Sequence, residues 1–164
     1  MAAPSELPSL VDESMSTPRE HDGRRIHSRH VTRGTGTPAY SQSLPCSVQS
    51  AWAARRLVRT ALCAWGLNAL EDDGTLVVAE LVANAAQHTT GPMIRVSVSR
   101  QVGGLVRIDV ADHSRKRPER RETNEYTERG RGLALVEGLA ERWGTDLLPS
   151  GKRVWAVLAA EPTA

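Results

Sequence analysis

From about Ala39 onward the chain switches between two hydrophobic rhythms, and each rhythm predicts an element. A short strand candidate leads to Pro45, and Ser47 is placed to cap a first helix. Ala51, Ala54, Leu57, Val58, Ala61, Leu62 and Trp65 recur at three- and four-residue steps, the signature of one helical face, which ends near Gly66. On the opposite side of that helix Trp52 stands among Arg55, Arg56 and Arg59, covered by the tail, offered to a partner or packed into the core. A second helix opens at Asp72 or Asp73 and runs to about Thr89, where Gly91-Pro92 stops it. The period then changes to two. Ile94, Val96 and Val98 alternate with Arg95, Ser97 and Ser99, Gly103-Gly104 turns the chain, and Val106, Ile108 and Val110 resume the alternation, predicting a β-hairpin. Further on, Leu133, Leu135, Val136, Leu139, Ala140 and Trp143 give a third, amphipathic helix. Residues 144 to 148 and 154 to 159 read as two last strands joined at Pro149-Ser150-Gly151, the final one inside the sheet.

The second helix is apolar on most sides, which marks it as buried, yet Glu80, Asn84 and His88 run along it at four-residue intervals. Each step of four advances only about 40° around the axis, so the three side chains share one narrow stripe. A carboxylate and a carboxamide on such a helix are costly unless they open onto water, a ligand or a metal ion. The bland alternative is a solvated acid, an exposed amide and a histidine favoured by the helix dipole.

Side-chain direction repeats every two residues along a strand, so Asp112 shares the face of Val106, Ile108 and Val110 and points to the covered side of the sheet, where an acid needs a partner. Residues 113 to 129 carry six Arg and Lys and four Glu with Pro118 and almost no aliphatics, the composition of a long mobile loop. It ends at Gly130-Arg131-Gly132, directly before the third helix. Glycines before a helix start allow close approach to an anion, which the free N–H groups and the dipole favour.

At 164 residues with 40% hydrophobic content, the chain suits one domain, residues 39–160, behind a disordered Pro-, Ser- and Arg-rich tail, residues 1–38. His21, His27 and His30 in that tail lack a scaffold for metal binding. Lys and Arg exceed Asp and Glu by only two (21 against 19), so nucleic acid is not the expected partner, and no reading helix accompanies the arginines. Cys46 and Cys63 read as reduced thiols, no run reaches the length of a membrane span, and the expected location is cytoplasmic.

Taken together, Glu80-x-x-x-Asn84-x-x-x-His88, Asp112-x-Ser114-x-x-x-Pro118, Gly130-Arg131-Gly132-Leu133 and Gly151-Lys152-x-Val154-Trp155 resemble the ATP-binding domain shared by anti-sigma serine kinases, histidine kinases, gyrase B subunits and MutL-type ATPases, the GHKL superfamily. The chain looks most like the actinobacterial, anti-sigma-factor-like branch. The resemblance implies an α+β fold, a two-layer α/β sandwich with helices on one face of a mixed sheet, and ATP with Mg²⁺ as the bound group. It implies that Glu80 polarises the attacking hydroxyl or water, that Asn84 coordinates Mg²⁺, and that Asp112 accepts a hydrogen bond from the adenine amino group. Ser114, Gly130, Arg131, Gly132 and Leu133 fall on the remaining nucleotide-binding motifs, with the glycines freeing backbone amides for phosphate and Arg131 or Arg129 offsetting charge. Two departures stand out: Ser114 where many members have Gly, and Arg153 where Thr often follows Gly-Lys, which bears on adenine-side hydrogen bonding. The absence of a phosphoacceptor helix and of a transducer domain argues against a complete sensor kinase or a gyrase-like machine. The implied function is an ATP-binding regulator that phosphorylates an anti-anti-sigma (STAS-type) protein or sequesters a sigma factor. The alternative is a nucleotide-dependent binding module without phosphotransfer, and homodimer formation is left open.

Overall fold

The computed structural model describes residues 29–30, 37–89, 91–113 and 131–160. Strand β1 (Arg29–His30) and strand β2 (Ala39–Pro45) are followed by helices α1 (Ser50–Ala64) and α2 (Glu71–His88). Strands β3 (Met93–Arg100) and β4 (Leu105–Asp112) form the expected hairpin, and helix α3 (Arg131–Leu139) leads to β5 (Arg142–Leu148) and β6 (Gly151–Ala159). One six-stranded sheet has the order β1-β2-β3-β4-β6-β5.

Every strand pair in this sheet is antiparallel, which corrects the expectation of a mixed sheet. The reason lies in the connections. Two helices separate β2 from β3, and the chain returns to lie antiparallel beside the strand it left. The connection that carries α3 joins β4 to β5, two strands of like direction, but β6 inserts between them, so no parallel neighbours result among the described residues.

Alternation along the strands divides the sheet into two faces. Leu44, Ile94, Val96, Val98, Val106, Ile108, Val110, Val154, Ala156 and Leu158 point to one side and are buried against Leu57, Val58, Leu62, Val77, Leu81 and Val82 of the helices, and Val136 of α3 joins the same core. All three helices therefore cover one face, giving the two-layer α+β sandwich. Helix α2 is central: it packs against α1, α3, β4 and β6. Its close crossing with α1 depends on Gly74, where a Cβ would sit 3.0 Å from Val58 Cγ1. The other face is polar. Ser41 and Ser97 share a hydroxyl hydrogen bond of 3.2 Å, and Asp109 lies between Arg107 Nε at 3.6 Å and Arg153 Nε at 3.4 Å. The Arg107 guanidinium stacks 4.7 Å above the Trp155 ring, whose Nε1 donates to Asp146 at 3.2 Å.

Local chemistry places several boundaries. Helix α1 starts at Ser50, three residues after the expected cap; Ser47 instead takes the Gln49 N–H in the turn before it, and Ser50 Oγ donates to the Pro45 carbonyl at 2.6 Å. Helix α2 begins with Glu71, Asp72 and Asp73 in its first turn, where carboxylates oppose the positive end of the dipole. Helix α3 stops at Leu139, and Trp143 belongs to β5 rather than to the helix as expected. Within the stretch read as a tail, Arg29 and His30 pair with Ser41 and Tyr40 as an edge strand; residues 1–28 and 31–36 lie outside the described residues. Trp52 is 65% exposed, with the Arg56 guanidinium 5.7 Å from its ring.

Candidate functional site

The polar stripe of α2 divides where the helix leaves the core. Glu80 and Asn84 are half-buried, whereas His88, in the last turn, is exposed. The Glu80 side chain reaches the first turn of α3: a Cβ built on Gly132 would overlap Glu80 Oε2 and lie 3.4 Å from Glu80 Cδ. The missing side chain at Gly132 thus leaves the space that the Glu80 carboxylate occupies. Two residues about fifty positions apart, one on the stripe and one in the glycine-rich segment, are brought together as the motifs implied. Gly132 and Leu133 sit in the first turn of α3, where backbone N–H groups have no partner within the helix. One helical turn from Glu80, the Asn84 carboxamide has a buried nitrogen without a hydrogen bond among the described residues. Because the amide's oxygen and nitrogen are interchangeable by rotation, this end of the side chain can equally present its oxygen.

Asp112 closes β4 and is buried, as the alternation predicted. Its partner is Lys152, directly opposite on β6: the two are register partners, and Lys152 Nζ lies 3.5 Å from Asp112 Oδ2. Both side chains are 0% exposed. Such a pair is held in place by the sheet ladder, because Cα partners on adjacent strands share a face. Gly151 makes the approach possible, since a Cβ there would run into the Asp112 carbonyl and come within 2.7 Å of His113 Cα.

Lys152 stands in the last of the motifs, which give it no role of its own. They mark Arg153 as the departure on the adenine side, but Arg153 points to the opposite face of the sheet, toward Asp109. The parity of β6 contains the signal. Val154, Ala156 and Leu158 face the core, so position 152 does too, and 153 does not.

Cys46 also belongs to this neighbourhood. Its thiol lies 3.7 Å from the Ala85 carbonyl of α2, and its pKa is pushed up by burial and then by the negative charge of Asp112. Ser114 and Gly130 lie outside the described residues; of Arg131 only the helical backbone is described.

The chain thus places an acid and an amide on one helix, a buried acid at the end of a strand, and a glycine in the first turn of α3 against Glu80. The family comparison agrees: residues 44–158, well over half of the chain, match the model of the histidine kinase-like ATPase domain, and the chain belongs to that family. A search of curated proteins finds no match. Domains of this family bind ATP, generally with Mg²⁺. The donor set here fits that group. Asn84 would offer Mg²⁺ a carboxamide oxygen beside phosphate and water, oxygen ligands of the kind this ion takes. Among the described residues, no helix is long and apolar enough to cross a membrane.

Proposed function

We propose that the protein is a cytoplasmic, ATP-dependent regulator of the anti-sigma type, which phosphorylates a Ser or Thr on an anti-anti-sigma (STAS-type) partner or sequesters a sigma factor. The observation that carries this reading is the meeting of Glu80 with Gly132 at the start of α3. A hydroxyl brought to a phosphate held by the first-turn amides would lie beside a carboxylate able to take its proton. Asn84 would hold the magnesium ion, and Asp112 would take the adenine amino group at the far end of the same surface. ATP would supply the transferable phosphoryl group and magnesium the neutralising charge. Gly132 and Leu133 orient through their N–H groups, and Glu80 moves the proton. The exposed Trp52 with its neighbouring arginines is a surface on which a protein partner could be held.

Calorimetry with Mg-ATP on the wild type, Asn84→Ala and Asp112→Asn tests the nucleotide; binding that neither substitution weakens would end the reading. A pull-down with and without ATP, with phosphosite mapping on the captured protein, tests partner and chemistry together. Clear ATP binding with no phosphate transferred to any captured protein would leave the narrower function of a nucleotide-gated binding module.

A further inference from the structure

We infer that Lys152 is a base-reading residue of the nucleotide site, its ammonium donating to a purine ring nitrogen adjacent to the amino group that Asp112 accepts. This inference rests on the adenine-nucleotide reading and deepens it. Lys152 is fully buried, and an ammonium carries three N–H donors. Asp112 Oδ2 is at 3.5 Å, an ionic contact, and Nζ makes no hydrogen bond among the described residues. Burying donors unspent is costly, and a neutralising role for Asp112 alone would not require leaving them so.

The pair presents, side by side on one sheet face, an acceptor from β4 and a donor from β6. Adenine carries the complement: an amino donor flanked by ring nitrogens that only accept, one on each side. A base whose amino group meets Asp112 therefore brings a ring acceptor toward Lys152. Because the two residues are register partners, their spacing is set by the sheet and not by a loop. Gly151, next to Lys152, lets β6 lie close against the Asp112 backbone.

Calorimetry on the wild-type protein with Mg-ATP, 1-deaza-ATP and 7-deaza-ATP tests this directly, since each analogue replaces one ring acceptor by a C–H. One of the two analogues is expected to bind at least about tenfold more weakly than ATP, the scale of a hydrogen bond to a charged group. In Lys152→Met, whose fold is checked by circular dichroism, ATP and that analogue are expected to bind alike. Equal affinity of all three ligands for the wild type overturns the role of Lys152 while leaving the adenine site standing. A discrimination that persists in Lys152→Met overturns it as well. No binding of any adenosine phosphate fails the nucleotide reading itself, and the inference with it. Should Lys152→Met not fold, Lys152→Gln is measured in its place, with the same outcomes.

Discussion

Separating Asp112 from Lys152 should cost the unliganded protein a large share of its stability, whereas removing both should not. With both side chains at 0% exposure, substituting Asp112 leaves the Lys152 ammonium buried without this counter-ion, and substituting Lys152 takes one cation from a buried carboxylate. Breaking a buried pair in this way costs about 3–5 kcal/mol, whereas replacing the whole pair by apolar groups of similar size is often neutral or stabilising. Against a total of roughly 5–15 kcal/mol for a domain, the single loss is severe. Urea denaturation monitored by far-ultraviolet ellipticity should place the midpoint of Asp112→Leu about 2 M below the wild type, given a slope of roughly 1.5–2 kcal/mol per molar. Lys152→Met should fall similarly, and Asp112→Leu/Lys152→Met should return to within about 0.5 M of the wild type. The coupling energy is the quantity that matters. If the double variant is as unstable as the sum of the singles, the two charges do not hold each other, and the buried groups are stabilised separately.

Other contacts lead to three more expected outcomes. Gly132→Ala should lower Mg-ATP affinity or phosphotransfer at least about tenfold through displacement of Glu80, yet shift the urea midpoint little, because alanine favours the helix by up to about 1 kcal/mol and the carboxylate can swing aside; unchanged activity would refute the contact. Gly74→Ala should destabilise by roughly 1–2 kcal/mol in the same assay, since crowding Val58 and Leu62 at the α1–α2 crossing outweighs that helix gain; a stabilised variant would show that the crossing has room. Iodoacetamide near pH 8 should modify exposed Cys63 well before Cys46, as counted by mass spectrometry, with the gap narrowing as pH rises and Cys46 ionises. The sign for stability agrees: a thiol whose folded-state pKa is raised contributes stability below the ordinary cysteine pKa of about 8.5, and loses it as pH climbs through the folded value. Equal labelling rates would contradict the burial of Cys46.

What the chain disclosed in advance was periodicity, and what it withheld was pairing. Ile94 to Val98 and Val106 to Val110 declared a half-buried hairpin, and the parity that sent Asp112 inward was correct. Glu80 and Asn84 were placed on one stripe by helix geometry alone. Their meeting with Gly132 depended on α3 docking beside α2, a contact across about fifty residues that the motifs implied but periodicity could not supply. The insertion of β6 between β4 and β5 was invisible for the same reason, so nothing in the sequence excluded a mixed sheet. Trp143 fits the helical face as well as it fits β5, because one aromatic residue at a boundary satisfies both periods. Arg29 and His30 form a ladder of only two residues, too short for any hydrophobic rhythm to announce. Lys152 is different, since its inward direction can be counted back from Val154; the familiar Gly-Lys-Thr pattern draws attention to its neighbour instead.

The opposed positions of 112 and 152 also bear on how such a domain can diversify. Acid and amine are fastened by a ladder running the full length of two adjacent strands, from Leu105 opposite Ala159 to Asp112 opposite Lys152. The chain that departs after one and returns before the other carries α3 and β5, so a change in its length or charge need not disturb the alignment of these two side chains, which the ladder alone sets.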